Sequence, residues 1–91
     1  MNTAECSELP PIDGARLWRR LEDLSAFTRP DVPWTRRAFS PEYTAARAWL
    51  RGAFEAAGLQ VRLDAAGNLI GCRPGRRNEL KPLATGSHTD T

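Results

Sequence analysis

The hydrophobic period of the chain changes at Gly58. Before this glycine, apolar residues recur at spacings of three and four, the pattern of one buried face on an α-helix. After it, Leu59, Val61 and Leu63 alternate with polar residues, which is typical of a half-buried strand. The 91 residues leave room for one small domain. The sequence therefore predicts an α/β fold in which helices precede a small sheet.

Start and stop signals predict two helices. Asp13 is a candidate N-cap for a first amphipathic helix over about residues 14–27. The hydroxyl of Ser40, followed by proline at the first helical position, predicts a second helix over about residues 41–57, which the glycine after it ends. Residues 1–12 contain paired prolines and show no period, so we predict an extended N-terminal arm there.

A hairpin and one further strand are predicted after the helices. The alternating run ends at a tight connection over residues 65–68, and Leu69–Cys72 resumes extended structure. A charged loop over Arg73–Lys81 then leads to a third strand from Leu83 to about His88. Since helices and sheets must bury their apolar faces on one another, we predict two N-terminal helices packed on a mixed sheet, made of the hairpin plus one further strand.

Aromatic side chains are expected to supply much of the core. Trp18, Trp34 and Trp49 each lie on or near an apolar helical or loop surface, which favours packing over ligand binding. The irregular segment over residues 29–39 is expected to pack through Trp34 and Phe39.

Charge and composition exclude several classes of protein. Thirteen Lys and Arg against eleven Asp and Glu give a net charge of +2, and the basic residues are spread along the chain, so nucleic acid is not an expected partner. The pairs Arg36–Arg37 and Arg76–Arg77 are predicted to be solvated surface.

Cys6 and Cys72 are too few for a disulfide framework and fit a reducing compartment. Since neither a signal peptide nor a membrane span is recognisable, the expected location is the cytoplasm.

The only histidine of the chain lies in the segment Thr85–Thr91, TGSHTDT. Ser87, His88 and Asp90 supply the residue types of a catalytic triad, but neighbouring side chains on a strand point to opposite faces, so Ser87 cannot donate to His88. The same alternation puts His88 and Asp90 on one face, about 6.5–7 Å apart along the strand. A carboxylate at that distance can orient the imidazole toward a metal ion. The spacing alone also fits a hydrogen-bonded surface histidine.

Several stretches together resemble one enzyme family. They are Gly58–Leu59 after a helix rich in alanine and arginine, Asp64–Asn68, Arg73–Gly75, and the segment ending Gly86–Thr91. Over about Ile12 to Thr91 the chain is similar to the hydantoinase/carbamoylase family of metal-dependent amidohydrolases. This family includes N-carbamoyl-L-amino-acid hydrolases and allantoate amidohydrolases, and it belongs to the aminoacylase/carboxypeptidase superfamily.

The resemblance implies a hydrolase of linear amides with two divalent ions, zinc or manganese, in the complete enzyme. His88 would bind one ion and Asp90 would orient His88, while a glutamate acts as general base toward a small carbamoyl or ureido substrate. In the family, that glutamate, the other ligands and a lid-and-dimerisation domain lie beyond the position of Thr91. Residues 13–91 would then be the N-terminal part of a zinc-peptidase-like catalytic domain, truncated after the first metal-ligand motif. Such a fragment is expected to be inactive alone, and a homodimer is expected only for the complete enzyme.

Two other hypotheses remain open from the sequence. The first is a non-catalytic helix-and-hairpin module that binds a partner through an exposed sheet edge. The second is a small basic nucleic-acid-binding protein, which would show a steep salt dependence of binding.

Overall fold

A computed structural model describes residues 9–91, in which two helices precede a hairpin. The helices are α1 (Gly14–Ser25) and α2 (Pro41–Ala56), and the strands are β1 (Gln60–Leu63) and β2 (Leu69–Cys72). The α/β class and the order of these four elements agree with the prediction. Of the predicted N-terminal arm, residues 9–12 form neither helix nor strand, and residues 1–8 lie outside the described part.

Both helices begin at the predicted caps. The Asp13 carboxylate accepts a hydrogen bond from the Arg16 N–H at 3.0 Å. The Ser40 hydroxyl accepts from the Tyr43 N–H at 3.2 Å, and proline occupies the next position. After α2, Gly58 adopts a φ of 84°, the left-handed conformation that ends helices and that glycine tolerates best. These local signals therefore determine where both helices start and where α2 stops.

The hairpin is antiparallel and closes through an aspartate. Leu63 lies opposite Leu69 in the register. The Asp64 carboxylate accepts from the Ala66 N–H at 3.0 Å, the Asn68 N–H at 2.8 Å and the Asn68 side-chain amide at 2.9 Å. The bonds from Asn68, side chain first, hold the pKa of the Asp64 carboxyl below its ordinary value. The predicted turn role of Asn68 is confirmed, and Asp64 is its acceptor.

Helix α2 packs on the hairpin at a glycine. A Cβ atom at Gly71 would lie 2.8 Å from Leu59 Cδ1 and 2.8 Å from Phe54 Cδ2, so only a glycine lets β2 approach so closely. Ala46, in the first half of α2, is completely buried. The small core of the described residues therefore lies between α2 and the two strands.

The predicted third strand is absent from the sheet of the described residues, which contains β1 and β2 alone. Residues 81–91 form neither helix nor strand, and the Leu83 side chain is fully exposed. Pro82 lacks the N–H needed for a strand ladder, and the residues after Ala84 offer no apolar face to bury. The sheet is accordingly antiparallel rather than mixed.

Helix α1 does not pack on the sheet as predicted. Leu17 and Leu21, on its apolar face, remain 53% and 51% exposed. The end of α1 instead meets α2 through the rings of Phe27 and Trp49, whose centroids are 6.2 Å apart. No helix among residues 9–91 has the length and hydropathy required to cross a membrane.

The tryptophan prediction is correct only in part. Trp49 is half-buried, whereas Trp18 and Trp34 are largely exposed. Phe39 is exposed as well, but its ring lies edge-on to that of Tyr43 with centroids 5.9 Å apart, so the segment over residues 29–39 contacts α2 through Phe39. Its attachment to the rest of the chain also depends on an arginine, described below.

Candidate active site

The His88 imidazole is in contact with Asp90. The His88 Nδ1 atom lies 3.1 Å from Asp90 Oδ1 and 3.1 Å from the Asp90 backbone oxygen. An ionised carboxylate and a peptide carbonyl can only accept hydrogen bonds, so Nδ1 must carry the proton that both receive. In the neutral ring, Nε2 then keeps its lone pair. The His88 side chain is 82% exposed, which leaves that nitrogen accessible.

This donor set fits one ligand of a metal centre. A histidine whose Nδ1–H is held by a carboxylate and whose Nε2 is free is the usual form of a metal-binding imidazole. A catalytic zinc normally takes three protein ligands. Residues 9–91 contain no group of three His, Cys, Asp or Glu side chains that could hold an ion. The assignments of His88 as ligand and Asp90 as its orienting group therefore stay predictions.

The segment that carries this pair is attached to the protein through Arg36. The Arg36 side chain is buried, with 7% of the residue exposed. Its Nε donates to the Thr89 carbonyl at 2.8 Å, and one terminal nitrogen donates to the carbonyls of Leu24 at 2.9 Å and Phe27 at 2.8 Å. These carbonyls replace the water that a buried guanidinium loses. The guanidinium thus joins the end of α1 to residue 89.

The backbone of Arg36 holds the same segment. The Arg36 N–H donates to the Thr91 oxygen at 2.6 Å, and the Thr91 N–H donates to the Arg36 oxygen at 2.7 Å. The Thr91 hydroxyl adds a bond to the Trp34 carbonyl at 3.3 Å. Trp34 has a φ of 59°, which is rare for a bulky residue. The residues that follow the predicted third strand therefore pair with this loop.

Internal hydrogen bonds shape the loop that presents Arg36. The Thr28 hydroxyl accepts from the Thr35 N–H at 2.9 Å, and the Arg29 N–H donates to the Thr35 oxygen at 2.8 Å. The Arg29 side chain also pairs with Asp31 at 2.8 Å and lowers the pKa of the Asp31 carboxyl. These contacts close the loop directly before Arg36.

Sequence reasoning missed Arg36. The pair Arg36–Arg37 was predicted to be solvated, which is correct for Arg37 and wrong for Arg36. No local signal distinguishes the two, because the burial of Arg36 depends on residues 53 positions away. Arg76 and Arg77 are exposed as predicted. Cys72 is exposed at the end of β2, and Cys6 lies outside the described residues, so the absence of a bridge between them stays a prediction.

Comparison with known proteins identifies relatives among amidohydrolases. No protein-family profile and no solved structure matches the chain. The N-carbamoyl-L-amino-acid amidohydrolase of Paenarthrobacter aurescens is 43% identical over 83 residues, which cover 91% of this chain and 20% of that protein. The ureidoglycolate hydrolase of Oryza sativa subsp. japonica is 36% identical over 80 residues, covering 87% of this chain and 16% of that protein. An N-carbamoyl-L-amino acid amidohydrolase of Geobacillus stearothermophilus is 38% identical over 81 residues, covering 88% of this chain and 20% of that protein.

These similarities confirm the resemblance to the hydantoinase/carbamoylase amidohydrolases. The chain is a relative of hydrolases named for N-carbamoyl amino acids and ureidoglycolate, and nearly all of it takes part in the match. It spans a fifth or less of the length of these relatives.

Proposed function

We propose that this chain is the N-terminal part of a metal-dependent amidohydrolase that cleaves linear C–N amide bonds of N-carbamoyl amino acids or ureido compounds. The observation that carries the proposal is the 43% identity over 91% of the chain to an N-carbamoyl-L-amino-acid amidohydrolase. The proposal includes a small-molecule substrate, a cytoplasmic location and a homodimer of the complete enzyme.

His88 would hold one divalent ion, zinc or manganese, through Nε2. Asp90 would keep the proton on Nδ1 and fix the orientation of the ring, as the 3.1 Å contact allows. When bound, the metal supplies Lewis acidity toward water and the substrate carbonyl. The described residues bring no second and third ligand to His88. We therefore place the remaining ligands and the general base outside residues 9–91 and expect the 91 residues alone to be inactive.

A chimeric enzyme tests the proposal. Residues 9–91 replace the matching segment of the Paenarthrobacter aurescens relative, and the hydrolysis of an N-carbamoyl-L-amino acid is measured together with the bound metal. We expect activity in the chimera and its loss, with loss of one metal ion, in His88→Ala. Ser87→Ala is the matched control, since its neighbouring hydroxyl has no part in the proposed site. A His88→Ala chimera that keeps its metal content and turnover would contradict the role of His88.

The exposed face of α1 favours a second candidate, a non-catalytic interaction module. Leu17, Trp18 and Leu21 leave an apolar stripe on a helix that has little packing of its own. This candidate predicts that the chimera is folded but inactive, and that the 91-residue chain is a stable monomer with a cooperative thermal transition. The amidohydrolase proposal predicts an active chimera and a 91-residue chain that self-associates.

A further inference from the structure

We propose that Arg36 is the positioning residue of the His88–Asp90 pair. Its guanidinium and its peptide group hold residues 89 and 91 against the end of α1, and this fixes the direction in which His88 and Asp90 point. The inference rests on the proposed function, in which His88 is a metal ligand. Its test needs neither metal nor substrate.

The hydrogen bonds of Arg36 alternate along the segment. Arg36 binds the carbonyl of Thr89 through Nε, and both backbone groups of Thr91 through its own peptide. These bonds fix the backbone directly after His88 and directly after Asp90, which restricts the directions in which the two side chains can project. Thr89 is half-buried, whereas His88, Asp90 and Thr91 are exposed.

The anchor at the other end is the terminus of a helix. The last carbonyls of a helix lack intrahelical donors and carry partial negative charge. Arg36 donates to the carbonyl of Leu24 in the last turn of α1 and to that of Phe27 just after the helix, and a third donor of the same rigid group reaches Thr89. The planar guanidinium can span these acceptors, whereas the ammonium group of a lysine is a point donor on a flexible stem. An arginine is therefore specifically suited to this position.

Nuclear magnetic resonance on the metal-free 91-residue chain tests the proposal. Arg36→Lys keeps the charge, and Arg37→Lys is the matched control at the exposed neighbour. The first readout is the backbone order parameter of Thr89 and Thr91, which we expect to fall from about 0.85 to below about 0.6 in Arg36→Lys. The second is the His88 tautomer, read from its ring nitrogen shifts at a pH where imidazoles are neutral. We expect the share protonated at Nδ1 to fall in Arg36→Lys and to stay unchanged in Arg37→Lys.

The His88 tautomer distinguishes a positioning role of Arg36 from a merely structural one. If Arg36→Lys weakens helix α1, seen by circular dichroism, but leaves the His88 tautomer and the order parameters at the wild-type values, Arg36 is only a helix cap and the proposal is overturned. If both lysine variants fail to fold, a measurement on the wild-type chain tests the proposal instead. A scalar coupling across the hydrogen bond from Arg36 Nε to the Thr89 carbonyl supports the clamp, and its absence overturns it. An inactive chimera would instead count against the proposed function alone.

Discussion

At the level of single residues, Asp90 acts through hydrogen bonding and charge together. Its carboxylate and its backbone oxygen both accept from His88 Nδ1. An asparagine at this position can still accept through its carbonyl oxygen, but it carries no negative charge. In the proposed site, Asp90→Asn is therefore expected to weaken His88 as a ligand without removing it.

Asp90→Asn in the chimeric enzyme is expected to lower metal affinity or activity by about 10–100-fold, the usual cost of losing such an orienting partner. Metal analysis after dialysis, alongside turnover, measures both effects. In the same assay His88→Ala should lose one ion outright, so the two variants differ in metal content. Equal metal loss in both would mean that Asp90 is itself a ligand.

The Asp64 carboxyl makes the hairpin turn sensitive to acid. Its pKa is lowered by the bonds from Asn68, so the folded state favours the ionised form. The resulting stabilisation is fully present above the unfolded pKa of about 3.9 and is lost as the pH falls through the lower folded pKa.

We therefore expect the Asn68 side-chain amide resonances to move toward their random-coil positions as the pH is lowered below about 4. Asp64→Asn should remove this transition. Asp31 and Glu79 also have lowered pKa values, each because of a hydrogen bond from a neighbouring arginine. Their titration should continue unchanged in Asp64→Asn, which makes them internal controls. A transition at Asn68 that persists in Asp64→Asn would show that another group controls the turn.

At the level of elements, the contact between α2 and the hairpin depends on the missing side chain at Gly71. A methyl group there would overlap with Phe54 and Leu59, and overpacking of this kind costs about 1–3 kcal/mol. Gly71→Ala should lower the free energy of unfolding by that amount in urea titrations of the 91-residue chain. Gly75→Ala is the matched control, because a Cβ atom there meets nothing within 4 Å. An equal effect at both glycines would contradict the close approach of β2 to α2.

The elements that sequence reasoning predicted are those whose signals are local. The caps at Asp13 and Ser40, the glycine after α2 and the alternation in β1 all act within a few residues of the structure they specify. The predicted third strand over residues 83–88 is absent because a strand needs a partner, and the sheet of the described residues contains β1 and β2 alone. The residues just after that range, Thr89 and Thr91, bond to Arg36 instead of to the hairpin edge. In the candidate site, the contact between His88 and Asp90 followed from spacing, but the buried arginine behind it did not. Its acceptors come from two separate parts of the chain, the end of α1 and residue 89.

At the level of the whole molecule, the described residues bury little apolar surface. Among them Ala46 is the only buried hydrophobic side chain, and no large side chain is fully buried. Much of the apolar surface of α1 is therefore free for contact with further protein.

We expect the isolated 91-residue chain to self-associate through this apolar surface. Sedimentation velocity should show a weight-average mass that rises with concentration, because removing the exposed leucines of α1 from water lowers the free energy. The double variant Leu17→Lys with Leu21→Lys should shift the chain toward the monomer. Leu80→Lys is the control, since this leucine is equally exposed but lies in the loop after the hairpin. A compact monomer at all concentrations, with a sharp thermal transition, would contradict the expectation and favour the independent interaction module. Association that Leu80→Lys reduces as strongly as the double variant would show that the contact does not depend on helix α1.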